Sequence, residues 1–137
     1  MTRSASDVLR FWLGAHPLDS AAMQRVQAQW FRKDETFDAR LREGFGATIA
    51  AARAGRLDRW ADTAEGRLAL LIVLDQFTRN AFRGQPDGFA GDAQALALAL
   101  RGIELGHDQA VPPMARIFCY LPLEHAEDAT LQARNVA

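Results

Sequence analysis

An all-α fold of about seven helices is what this sequence predicts, and three observations carry the prediction. Apolar residues recur at three- and four-residue steps in nearly every segment, no stretch alternates polar and apolar as a half-buried strand would, and glycine or proline closes most periodic runs. The chain has 137 residues, 49% hydrophobic and 24% charged, an ordinary globular composition. At this length folding removes roughly 70% of the unfolded chain's surface from water, enough for a true core. Short turns between helices and no low-complexity linker make residues 1–137 a single domain of antiparallel helical hairpins.

The first helix is expected over 6–13, with Ser4 and Asp7 in capping-box spacing, Val8, Phe11 and Trp12 on one face and Gly14 as its stop. Pro17 enforces a loop, and a second helix over 19–31 lines up Met23, Val26 and Trp30. The third, over 36–54, carries Phe37, Leu41, Phe45, Ile49 and Ala52 and ends before Gly55; Gly44 and Gly46 inside it mark either a close helix contact or a break. Asp62 or Thr63 caps a fourth helix running from Gly66 to Phe82. Its run Leu68 to Leu74 is apolar all round, which on a helix means burial on several sides, so this is the central element. A fifth helix is expected from Asp87, with Phe89, Ala93, Leu96, Leu100 and Ile103 as its apolar stripe and Gly106 at its end. Pro112 and Pro113 open a sixth that carries Met114, Ile117, Phe118 and Leu121 until Pro122 interrupts it, and a polar seventh follows over 123–136.

Composition excludes several functional classes. Sixteen Lys and Arg against 17 Asp and Glu give a net charge of −1, so no global field attracts nucleic acid or an anionic membrane, and neither is an expected partner. The longest apolar run, seven residues, is far short of the ~20 that a bilayer crossing needs. Nothing at the N-terminus resembles a signal peptide, and the lone Cys119 has no internal disulfide partner; the default expectation is the cytoplasm. Cys119 and the tryptophans Trp12, Trp30 and Trp60 read as core. No glycine-rich phosphate loop, nucleophile elbow or paired-cysteine site occurs, and no cofactor or metal is assigned.

Two polar clusters remain. Asp75 and Arg79, like Gln76 and Asn80, stand four residues apart on the most buried helix, so four polar side chains share an otherwise apolar rod. An unpaired charge there is strongly destabilising, and Asp75 must meet Arg79, a neighbouring helix or a ligand. The plainer expectation is an internal Asp75–Arg79 pair that fixes helix register. The second cluster is Glu124, His125 and Asp128. Two or three such groups cannot close a metal site, and acidic residues in a first helical turn complement its dipole. His125 is the best general acid–base candidate on the chain, with Glu124 beside it, because imidazole titrates near working pH. Glu104 and His107 have the i, i+3 spacing of carboxylate-bridged bundles, but Gly106 at a helix end makes that spacing accidental.

Taken in order, Val8-Leu9-Arg10-Phe11-Trp12-Leu13-Gly14, Trp30-Phe31, Phe37-Asp38, the stretch Gly55 to Trp60, the stretch Arg67 to Asn80, and Tyr120 to Asp128 resemble the bacterial domain-of-unknown-function family 924 along the whole chain. The resemblance implies an all-α fold of the tetratricopeptide-like class, although the 34-residue repeat consensus itself is not present. It implies no particular activity. It also implies a further helical segment with a Gly-Arg-Phe-Pro-His-Arg-Asn string beyond Ala137; where that segment faces Asp75, Arg79, Glu124 and His125, this chain holds half a site and an uncovered apolar groove, a reason to form a homodimer.

The leading functional expectation is a binding or interaction domain in which Asp75, Gln76, Arg79, Asn80, Glu124 and His125 line a face that receives a peptide or small polar ligand. The alternative is a hydrolase-type enzyme, with or without a divalent metal, in which His125 or Glu124 moves protons and Arg79 holds an anionic group. That alternative requires these side chains to converge around an open pocket.

Overall fold

In the computed structural model of the chain, residues 1–136 are described, the last three by their backbone alone. Among the described residues there is no strand, and six helices carry the fold: α1 (Ala5–Leu13), α2 (Ser20–Val26), α3 (Glu35–Arg53), α4, α5 (Asp92–Glu104) and α6 (Ile117–Val136). The central α4 is one rod over residues 64–81, made of α-helical Ala64–Leu71, a π-helical stretch Ile72–Phe77 and α-helical Thr78–Ala81.

Local chemistry sets most of the boundaries. Ser4 and Asp7 form the full capping box of α1, and Gly14 ends it at φ 91°, a left-handed conformation that a Cβ would strain. Asp19, Asp34 and Thr63 cap α2, α3 and α4 by accepting backbone N–H bonds. The second helix is shorter than its apolar stripe predicts, because residues 27–29 tighten into a 3₁₀ turn that swings Trp30 back so that its Nε1 donates to the Trp12 carbonyl at 2.7 Å. Gly44 and Gly46 mark neither a contact nor a break: α3 is continuous, and open space lies beyond both.

Every residue from Gly66 to Thr78 is buried, as expected for a helix apolar all round. Each large apolar side chain removed from water there contributes about 1.5–3 kcal/mol. The first half of α3 meets the end of α4, where Arg42 donates to the Ala81 carbonyl and Asn80 to Asp38. The fifth helix runs antiparallel to α4, from Asp92 beside Arg79 to Gly102 beside Arg67. The sixth returns along α4 and α5, with Cys119 near Leu68 and Leu71 and His125 bonded to Asp75. Phe11, Trp12, Phe37, Phe45, Phe77 and Phe118 mesh at centroid distances of 4.9–6.1 Å where α1, α3, α4 and α6 converge.

Two expectations are corrected. The sixth and seventh helices are one: Pro122 lies buried inside α6, which continues through it. An interior proline costs about 3 kcal/mol, and burial of its neighbours Phe118 and Leu121 in the core offsets that loss. The fifth helix starts at Asp92 rather than Asp87 and turns a different face inward. Its buried residues are Ala95, Ala99 and Gly102, while Phe89 (59%), Leu100 (46%) and Ile103 (38%) are exposed. Close approach explains the phase: a Cβ at Gly91 would stand 2.5 Å from the Leu74 carbonyl oxygen, and one at Gly102 would stand 2.7 Å from Arg67 Cδ. Hydrophobicity selects the leucine face for burial, but the spacing between α4 and α5 admits only small side chains.

Two glycine substitutions test this packing in opposite directions by urea denaturation. Gly91→Ala is expected to lower stability by about 1–3 kcal/mol, the range for overpacking a close contact. Gly46→Ala, on an exposed helical surface with nothing near it, is expected to raise it by about 0.5–1 kcal/mol.

Candidate functional site

Four of the six candidate side chains, Asp75, Gln76, Arg79 and Asn80, stand on the second half of α4, within or just past its π-helical stretch, and Glu124 and His125 stand on α6. A π-helical stretch spaces its backbone bonds i→i+5, and such stretches occur often at functional positions. Side chains reinforce the loosened ladder: Thr78 Oγ1 donates to the Leu74 carbonyl at 2.8 Å, and Arg79 Nη1 donates to the Asp75 carbonyl at 2.7 Å.

Asp75, 1% exposed, is fully partnered. Its Oδ1 accepts from Arg79 Nη1 at 3.0 Å and from His125 Nδ1 at 2.8 Å, and its Oδ2 accepts from Gln76 Nε2 at 2.9 Å. A carboxylate only accepts, so Nδ1 of His125 carries the proton and Nε2 is turned away from the pair. Arg79 is shared with a second acid: its Nη1 and Nη2 donate to Asp92 Oδ1 and Oδ2 at 2.9 and 3.1 Å, a bidentate pair that rivets α4 to the first turn of α5. The ring of Phe89 lies 5.3 Å from the same guanidinium.

The six candidate residues therefore do not form one group. Asp75, Gln76, Arg79 and His125 converge. Asn80 points to the other side of the rod, where its Nδ2 donates to Asp38 Oδ1 at 3.0 Å while Arg83 Nε donates to Asp38 Oδ2 at 2.9 Å. Glu124 is exposed and has no described bond to the cluster. Glu104 pairs with Arg101, and His107 accepts from Arg67 Nε at 2.9 Å, so the i, i+3 spacing of Glu104 and His107 brings nothing together.

Several polar residues that the fold depends on, near the cluster and at the far end of α4, are not among the candidates the sequence offers. Asp38 carried a signal, since it falls on the buried stripe of α3 three residues before Leu41. Arg67 carried one too, as the first charge inside the stretch of α4 that is buried all round. Its guanidinium donates to His107 and to the carbonyls of Leu98 and Ala61, and burial is the main influence lowering its pKa. Asp92 and Asp108 carried none, because their partners lie on other helices. The Tyr120 hydroxyl donates to Asp108 Oδ2 at 2.6 Å, which is the chief cause holding the Asp108 carboxyl below its usual range and also raises the Tyr120 pKa. Burial pushes the Cys119 thiol up to about 11, so it stays protonated and inert among core side chains. Arg53 is no free surface arginine either, since it caps the Asp87 carbonyl and lies 4.9 Å over the Phe82 ring.

Arg79→Ala strands Asp75 in the core and is expected to cost about 3 kcal/mol, against no measurable loss for the exposed Arg59→Ala, read from melting curves of the two variants. Tyr120→Phe is expected to cost about 1–2 kcal/mol at pH 7. Because the folded pKa of Asp108 is depressed, the stability it contributes is complete above its unfolded value near ~3.9 and disappears as pH falls through the folded value. The gap between wild type and Tyr120→Phe should accordingly begin to narrow as pH falls below about 4 in a pH series of denaturation curves.

Comparison with known proteins adds the family. No functionally curated protein matches the chain. A solved structure of a protein of unknown function from Agrobacterium tumefaciens is similar to it, with 42% identity and a TM-score of 0.79 over 95% of this chain and 68% of that one. Residues 8–137 match the family model described as bacterial protein of unknown function, DUF924. With that match over nearly its whole length and a structural relative at 42% identity, the chain belongs to the DUF924 family of bacterial proteins.

Proposed function

We propose that the chain is a ligand-binding helical domain that receives a small polar molecule, or a side chain of a peptide, in the cleft beside Arg79. The observation that carries this reading is the setting of Arg79. Among the candidate residues it lines an open cleft of about 230 Å³, together with Phe82, Arg83, Gly88 and Phe89. Two carboxylates hold its guanidinium in one orientation, so little side-chain freedom is lost when a ligand arrives. Phe89, 59% exposed and resting on that guanidinium, provides an apolar wall for a planar or aliphatic group, while the N–H edges not used by Asp75 and Asp92 orient a polar one.

Phe89 separates binding from folding in a test, because its loss leaves the Arg79 pairs intact. In a thermal-shift screen of polar metabolites and short peptides, hits are expected that raise the melting temperature of the wild type and lose most of that shift in Phe89→Ala. No hit, or hits indifferent to Phe89→Ala, would contradict the reading.

The hydrolase-type alternative draws on one observation, the Asp75–His125 pair, in which a buried carboxylate orients an imidazole with Nε2 directed outward. Exposed Glu124 takes no part in that pair, which leaves His125 as the proton carrier. Among the described residues no three His, Cys, Asp or Glu side chains group as ligands for a metal. Turnover of an ester or phosphoester panel that vanishes in His125→Ala would favour this alternative over binding alone.

A further inference from the structure

A second cleft, of about 390 Å³, shares the turn of residues 83–85 with the Arg79 cleft but opens toward the start of α3. Lys33, Arg42 and Arg83 line it, with Glu35 and Asp38 as the only acids among its lining residues. Asp38 is buried, and its charge is already committed to Arg83 and Asn80. The pairing engages the Nε–Nη2 edge of the Arg83 guanidinium, at 2.9 and 3.5 Å, and leaves the Nη1–Nη2 edge for another acceptor. Arg42 is likewise held by one nitrogen, its Nη1 bonded to the Ala81 carbonyl at 3.3 Å, with the rest of its fork uncommitted to any described partner. Glu35 is exposed, where solvent and salt screen it.

We infer that this cleft is an anion site that takes the phosphoryl group of a small phosphomonoester. Two guanidinium forks fixed by protein acceptors, with an exposed ammonium at the rim, match the doubly charged, three-oxygen face of a phosphate better than the single charge of a carboxylate. The start of the 19-residue α3 borders the same cleft, but its first amides are already bonded by the Asp34 carboxylate, so the attraction rests on the side-chain cations. The volume lies within the range of small-molecule sites, so the rest of the ligand has room beside its phosphate. Arg83, Gly84 and Gln85 line both clefts, but Lys33 and Arg42 line only this one and Arg79 and Phe89 only the other, so the two can be separated by variants.

Nitrogen-15 NMR titration of the intact chain with inorganic phosphate, phenyl phosphate and acetate at fixed ionic strength tests the assignment. Saturable shifts are expected at the amides of Lys33 and residues 83–85. Phosphate should bind more tightly than acetate, and phenyl phosphate more tightly than inorganic phosphate. Lys33→Gln and Arg42→Gln, both at exposed positions that leave Asp38 paired, should each weaken phosphate about three- to tenfold, and Glu35→Gln should tighten it. Phe89→Ala should bind phosphate as the wild type does, whatever it does to ligands of the Arg79 cleft. Acetate binding as well as phosphate, phenyl phosphate gaining nothing over the inorganic ion, indifference to Arg42→Gln in a variant with unchanged melting temperature, or shifts centred on Arg79 and Phe89 would each overturn the inference.

Discussion

Burial of α4 on all sides is the constraint from which the rest follows. A helix with Gly66 to Thr78 out of water needs neighbours around its whole circumference, and α1, α3, α5 and α6 supply them. Every polar side chain on that rod must therefore be answered by something on the surrounding layer. Arg67 is answered by carbonyls and an imidazole, Asp75 by Arg79, Gln76 and His125, and Asn80 by Asp38. Leaving any of these groups unpaired would cost more than its bonds return, so the helices around α4 are held in register as much by polar matching as by apolar contact.

The same constraint concentrates functional potential at one end of the rod. Where α4 widens into its π-helical stretch, the α5 backbone approaches closely enough to exclude a Cβ at Gly91, and Asp92 arrives beside Arg79. Past that point the rod ends in a turn with Gly84 at φ 80°, and the layer of helices opens into two clefts that share the turn. Arginines oriented by buried or half-buried carboxylates stand in the walls of both. Rigid cations at a helix-end turn, supported by a packed scaffold, are what a binding surface requires, and neither cleft draws on the isolated Glu124.

Particular residues show how far the sequence could be read. The capping box of Ser4 and Asp7, the stop at Gly14, the stripe Leu41, Phe45, Ile49 and Ala52, and the all-round apolar run of α4 are local patterns, and each appears as expected. The Asp75–Arg79 pair was legible for the same reason, being an i, i+4 neighbour on one helix. The π-helical stretch has no sequence pattern to announce it. The merging of two expected helices through Pro122 depends on neighbours that seat Phe118 and Leu121 in the core.

What the sequence by itself determined is the all-helical class, most of the helix starts and stops, the identity of the buried helix and the fact that charged groups on it must be paired, because caps, stops and periodicity act over three or four residues. Only the tertiary structure decided who the partners are. Asp92 for Arg79, His125 for Asp75, Asp38 for Asn80 and Arg83, and the small-residue face of α5 all depend on the distance and rotation between helices far apart in the chain. Those quantities emerge when the layers pack, since a close approach admits alanine and glycine where hydrophobicity alone would place leucine, and brings together carboxylates and cations from separate helices.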